Sequence, residues 1–178
     1  MGIGCKAFRE GRYLYAQQVF GAVSRYESSR KRFALYGLAL TMTRNGQLQE
    51  AKNKFEELLH SNQEGTVFKA NVLRSLAEVK ITLGQLEGID GMLIEASTIL
   101  EKNGLLQQLA STIYLQGLVH LIRGQLEKAT DKINWATSLA EIDIPSHVPL
   151  TFIIEQQMAK APASADIASQ MAAMGINT

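Results

Sequence analysis

Apolar residues along the chain recur every three or four positions rather than every second one, the spacing of helices with one buried face. Leu35, Leu38 and Met42 keep this spacing, and Leu48, Ala51, Phe55, Leu58 and Leu59 resume it after a short polar break. Ile113, Gly117 and Leu121 repeat the arrangement, followed by Leu126, Ala129, Ile133 and Ala136. At the break stands a glycine: Gly46-Gln47-Leu48-Gln49-Glu50-Ala51, then Gly84-Gln85-Leu86-Glu87-Gly88-Ile89, then Gly124-Gln125-Leu126-Glu127-Lys128-Ala129. A fainter first copy is Gly11-Arg12-Tyr13-Leu14-Tyr15-Ala16. The glycines are 35, 38 and 40 residues apart, within or near the period of a solenoid built from two-helix units. Lacking a Cβ, glycine takes at little cost the left-handed conformation that ends a helix. Glu50, Glu87 and Glu127 follow in what is expected to be the first turn of the next helix, where acidic side chains complement exposed N–H groups.

The pattern predicts four helical hairpins, with helices over 2–10 and 12–29, 31–45 and 48–60, 66–83 and 86–102, and 105–123 and 126–142. The corresponding units span about 1–30, 31–65, 66–104 and 105–145. Only ten residues precede Gly11, so the first unit is expected to be a truncated terminal repeat or one that has been cut through. Residues 61–65 and 102–104 read as loops, and Pro145 and Pro149 bracket a break. Residues 150–160 then read as a capping helix over the apolar side of the last unit. Residues 1–160 are thus expected to form a single repeat domain. The remainder, 161–178, reads as a flexible tail with a small apolar stripe of Ile167, Met171 and Met174 that could fold back onto the array.

At these positions the sequence resembles the tetratricopeptide-repeat family. The matching residues are Ala39, Leu48, Ala51, Phe55 and Leu58 around Gly46, and Ala77, Leu86, Ile89, Leu93 and Ala96 around Gly84. Around Gly124 they are Gly117, Leu126, Ala129, Ile133 and Ala136; the first copy supplies Gly4, Tyr13, Ala16, Phe20 and Val23. Ile89 at an alanine position and Leu58 at a small one depart from the pattern. Small residues let helices cross closely: Ala39, Ala77 and Gly117 within a hairpin, Ala51 and Ala129 towards the next. Covering roughly residues 1–142, the resemblance implies an all-α fold, a right-handed alpha-alpha superhelix of about four hairpins plus a C-terminal capping helix.

The resemblance also implies that the first helices line a concave groove for a peptide or helix of another protein. Carried onto this chain, the groove positions are Phe33, Tyr36, Gly37, Leu40, Thr43 and Arg44, then Asn71, Arg74, Ser75, Glu78 and Thr82, then Ser111, Tyr114, Leu115, Leu118 and Ile122. One subset of the family clamps a terminal carboxylate with Lys, Arg and Asn. Arg44, Asn71 and Arg74 echo that clamp in part, without a basic residue in the fourth unit.

Composition narrows the chemistry. With 46% hydrophobic and 20% charged residues, the 178-residue chain can bury one sizeable core. A single cysteine excludes an internal disulfide and a cysteine-based zinc site. His60, His120 and His147 stand apart, Glu127 and Asp131 are accompanied by Lys128 and Lys132, and no nucleophile elbow, phosphate loop or metal-spaced His/Cys set occurs. The expectation is therefore no enzyme, no cofactor and no metal. No apolar run reaches the roughly 18 residues of a membrane span, and the amino terminus lacks a secretory apolar core. Gly2 and Cys5 occupy the places of a double lipid anchor, but Lys6 stands where that motif wants Ser or Thr. A cytoplasmic location is the default.

The formal net charge of +1 gives no general reason to invoke nucleic acid, yet charge is unevenly placed. Residues 1–32 carry seven cations against Glu10 and Glu27, a net of +5 that leaves −4 for the rest. Lys6, Arg9, Arg12 and Arg25 form a candidate basic patch for an acidic protein or a nucleic-acid backbone, although Tyr13 and Phe20 are expected to pack rather than to offer stacking surfaces. The sequence thus points to a non-catalytic protein-interaction module, an adaptor or a subunit of a multiprotein assembly, with self-association through the first hairpin as a further expectation. The alternative is a regulatory or nucleic-acid-associated subunit working through the basic hairpin.

Overall fold

The computed structural model describes residues 2–26, 30–60 and 66–140. Among them are eight helices: α1 (Gly2–Arg9), α2 (Tyr13–Ser24), α3 (Lys31–Arg44), α4 (Leu48–Leu59), α5 (Val67–Thr82), α6 (Ile89–Lys102), α7 (Leu106–Ile122) and α8 (Leu126–Ala140). Successive helices pair as hairpins, the architecture of a generic helical repeat. The chain divides into two compact units, one ending at Gly104 and holding α1–α6, the other beginning at Leu105 and holding α7–α8. The expected loop at 61–65, the break at Pro145 and Pro149, the cap at 150–160 and the tail at 161–178 lie outside the described residues.

The glycine turns follow one hydrogen-bond scheme. Gly11, Gly46, Gly84 and Gly124 have φ of 72°, 77°, 71° and 71°. At the second turn the Gly46 N–H donates to Thr43 O at 3.1 Å and the Gln47 N–H to Met42 O at 2.9 Å, the paired closure that satisfies the last carbonyls of a helix. Gly124 and Gln125 repeat it on Leu121 and His120. The carbonyls of Gln47 and Gln125 then accept from Ala51 and Ala129, each at 3.0 Å, so the residue that closes one helix opens the next. No atom lies within 4 Å of where a Cβ on Gly46 would stand, which leaves backbone conformation as the whole penalty for a larger residue. Gly46→Ala is expected to destabilise by about 1–2 kcal/mol and Gly46→Asn by less, because asparagine tolerates this conformation. Urea unfolding of the two variants checks the order.

The repeated glutamine also has a structural use. Gln17 on α2 donates through Nε2 to Gln47 Oε1 at 2.9 Å, and Lys52 on α4 donates to Gln85 Oε1 at 2.8 Å. Gln17 and Lys52 each follow the buried alanine of their repeat, Ala16 and Ala51, so equivalent positions latch one hairpin to the turn of the next. The third turn departs from the expected boundary. α6 begins at Ile89 rather than near 86, because Gly88 takes a second left-handed conformation, φ 72°, and Lys80 Nζ holds the Glu87 carbonyl at 2.6 Å. Glu87 consequently precedes the helix, and Asp90 occupies its first turn. α2 likewise stops at Ser24, short of the expected 29.

Close packing explains the small residues. A Cβ on Gly4 or Gly37 would stand 2.9 Å or 2.8 Å from the Phe20 ring, so both glycines form the seat of that buried side chain, with Ala7, Ala16 and Leu38 completing its cluster. This corrects the placement of Gly37 in the groove. A second cluster joins α3, α4 and α5 through Ala39, Ala51, Phe55, Leu58, Val72, Leu76 and Val79. Ile89, at the expected alanine position, is fully buried beside an equally buried Leu93 and Ala96. In the second unit a Cβ on Gly117 would lie 2.8 Å from Ile133 Cγ1 and 3.3 Å from the Ala129 carbonyl oxygen. That close approach matches the small-residue crossing expected of α7 and α8.

Candidate functional site

Within the first unit α3 packs against α1 on one side and α5 on the other, so the first helices of the three hairpins share a face. The α3–α5 part of this face is a ladder of specific contacts. Phe33 and Phe68 meet edge to face with ring centres 5.2 Å apart, Tyr36 meets Phe68 at 5.6 Å, and Tyr36 also meets the buried Phe55 at 5.8 Å. Such tilted pairs place ring edges on ring faces, which suits the aromatic quadrupole. The Arg32 guanidinium lies over Phe33 at 4.7 Å and Phe68 at 5.5 Å. One turn along, the Tyr36 hydroxyl stands 3.0 Å from Ser75 Oγ and donates to the Asn71 carbonyl at 3.5 Å. Arg44 and Glu78 close the far end at 3.6 Å.

Of the positions named from the sequence, Tyr36, Leu40, Arg44, Asn71, Arg74 and Glu78 all lie on these two helices and are partly buried. Leu40 and Tyr36 lean on the core cluster, and Ser75 is almost wholly buried. Arg74 differs from its neighbours: its Nε is buried and has no hydrogen-bond partner. Such a donor stays costly until an acceptor arrives. Phe33, 40% exposed, keeps the aromatic end of the face open. Arg32, counted among the cations of the first 32 residues, belongs to this ladder instead, and Phe68, outside the groove positions expected from the sequence, stands one helical turn before Asn71 on the same face.

Tyr114, Leu118 and Ile122 belong to α7 in the second unit. Tyr114 retains 6% of its surface and Leu118 none, while Ile122 is partly buried. The run Thr112, Ile113, Tyr114, Leu115 is buried throughout, whereas Leu106 and Gln107 at the start of α7 are exposed. Burial raises the Tyr114 phenol from 10.0 to about 12, because the phenolate loses its hydration. The folded form therefore holds its proton where the unfolded form releases it. Tyr114 contributes stability that is intact below pH 10 and is lost as pH rises towards 12. Unfolding midpoints of wild type and Tyr114→Phe are expected to diverge over that window, with wild type falling faster.

The basic residues Lys6, Arg9, Arg12 and Arg25 are all exposed. Glu10 sits among them, 3.9 Å from Lys6 Nζ and accepting from Arg12 Nε at 3.0 Å, and Arg12 lies 5.5 Å from the centre of the Tyr15 ring. Tyr13 packs against Phe8 and Phe20 is buried, as expected. Tyr15 and Tyr26 are nevertheless exposed, so the patch does carry open aromatic rings. The two described histidines make local bonds, His60 Nδ1 to Glu56 O and His120 Nδ1 to Gln125 Oε1. Among the described residues no group of three His, Cys, Asp or Glu side chains could hold a metal ion, and no helix is long and apolar enough to cross a membrane. No protein-family model matches the sequence, and no curated protein matches it.

Proposed function

We propose that this chain is a non-catalytic, tetratricopeptide-like binding module, an adaptor or assembly subunit whose α3–α5 face receives a segment of another protein. The observation that carries the reading is the unpartnered Arg74 Nε on a face whose other end exposes the Phe33 edge. A segment offering an acceptor would pair with the Arg74 guanidinium as it turns outward, and an apolar side chain on the same segment would cover the part of the Phe33 ring left open. A right-handed array carrying a terminal cap, working in the cytoplasm, belongs to the same proposal.

Selection from a displayed random-peptide library against the full chain tests it. Enriched peptides are expected to bind Phe33→Ser and Arg74→Gln at least about tenfold more weakly, a difference of about 1.4 kcal/mol, with unfolding midpoints unchanged. No enrichment, or equal binding to both variants, would contradict the reading.

A second reading has its own support in the exposed Tyr15 and Tyr26 beside Arg9, Arg12 and Arg25. Rings interleaved with cations are what single-stranded nucleic acid stacks on. Here a labelled oligonucleotide should bind with steep salt dependence and be lost on Tyr15→Ala. Absence of binding at low salt removes this second reading.

A further inference from the structure

Two outward faces of the first unit match in length, charge order and shape. Along α2 and its C-cap the exposed residues Leu14, Gln18, Ala22 and Arg25 follow one another at helical spacing. Cations hold both ends: Lys6, Arg9 and Arg12 outnumber Glu10 at the start, and Arg25 stands at the close. On α6 and the turn before it one outward stripe carries Glu87, Asp90, Gly91, Ile94, Thr98 and Glu101, and Glu95 and the single cation Lys102 are exposed beside it. Glu87 and Asp90 stand at its start and Glu101, next to Lys102, at its close, so four carboxylates with Glu95 outnumber one cation along this face, and Ile94, 60% exposed, stands between the ends. Arg12 to Arg25 and Glu87 to Glu101 are each about 20 Å long at the helical rise.

The middles fit as well as the ends. α2 and α3 wall a cleft lined by Leu14, Gly21, Ala22, Leu38 and Met42, with Arg25 at its margin. No atom lies within 4 Å of a Cβ placed on Gly21, in the last part of α2, or on Gly91, in the first turn of α6, so at these two positions no side chain of either helix holds a partner backbone away. Helix separation is set by the side chains at the contact, and small ones permit the closest approach.

We propose that α6 of one copy of this chain docks on the α2–α3 cleft of a second copy. Ile94 enters between Leu14, Leu38 and Met42, while Glu87 and Glu101 meet the cations at the two ends. Pairing α2 with α2, or α6 with α6, would oppose like charges and is disfavoured for that reason. Because one face meets a different face, the contact adds copies head to tail rather than closing a two-fold dimer. The α3–α5 face takes no part, so this assembly and the binding function stand independently.

Sedimentation velocity of the full chain tests the proposal. At low salt the average mass should climb with concentration past that of two chains, and at about 1 M salt, where screening acts over about 3 Å, it should fall to one. Two variants disable one face each: Arg12→Glu with Arg25→Glu on α2, and Ile94→Glu on α6. All three sites are exposed, so circular dichroism should show unchanged helicity. Each variant alone should be monomeric, whereas their equimolar mixture should give a species of two chains and nothing larger, since one intact α6 meets one intact α2. A wild type that stays monomeric overturns the proposal, as does either variant assembling like wild type, or a mixture that remains monomeric. Monomers throughout, with an oligonucleotide bound by wild type and lost on the α2 variant, would assign that face to nucleic acid instead.

Discussion

Phe55→Ala is expected to destabilise the first unit by about 3–5 kcal/mol. The side chain comes from α4, is fully buried, and touches the first helix of its own hairpin through the Tyr36 ring. The cluster it occupies continues into α5 through Val72, Leu76 and Val79. Truncation therefore empties the contact between helices of one hairpin and the contact between successive hairpins at once. Against a typical total of about 5–15 kcal/mol for a domain, that is a large share. Phe33→Ala, at the exposed edge of the same aromatic ladder, is expected to change stability by less than about 1 kcal/mol. Urea unfolding followed by far-ultraviolet circular dichroism separates the two. Equal midpoints would contradict the packing described for α3, α4 and α5.

Ala129→Phe carries the second large effect, in the other unit. Ala129 is fully buried, and its carbonyl oxygen lies 3.3 Å from where a Cβ on Gly117 would stand, so α7 and α8 cross there with no room to spare. The Ala129 side chain has no free surface, so a phenyl ring there would have to displace whatever packs on it, in the hairpin or beyond it, at a cost of about 1–3 kcal/mol. Glu127→Ala, on the exposed side of the same helix, should stay within about 0.5 kcal/mol. Trp135 is the only tryptophan and lies on α8, so its fluorescence follows this unit specifically. Coincident unfolding curves for Ala129→Phe and Glu127→Ala would remove the basis for the hairpin register.

Repeat spacing made the hairpins legible because a glycine standing at a break in the helical periodicity has one backbone meaning, the left-handed residue that ends a helix. Gly11, Gly46, Gly84 and Gly124 all adopt the left-handed conformation their places demand. The same logic missed Gly88, whose second left-handed turn delays α6, since a glycine inside an apparent first helical turn has no signature of its own. A small residue is likewise ambiguous. Gly37 shares the periodicity of the α3 groove positions, yet it serves as the seat of Phe20, because sequence shows that a site is small and not which neighbour made it so. Tyr15 and Tyr26 leave no mark in the repeat pattern, which accounts only for aromatics that pack, as Tyr13 and Phe20 do. Ladder residues such as Tyr36 and Asn71 were legible through the resemblance, whereas the lone Arg74 Nε depends on three-dimensional neighbours and leaves no trace in spacing.

Backbone amide shift mapping on the full chain, titrated with a peptide selected as above, tests the central claim most directly. The account predicts that the largest shifts fall on α3 and α5, around Phe33, Tyr36, Asn71 and Arg74, and that the Arg74 Nε–H resonance moves downfield as it gains an acceptor. Shifts confined to the outer residues of α2, α4 or α6, with α3 and α5 undisturbed, would contradict it.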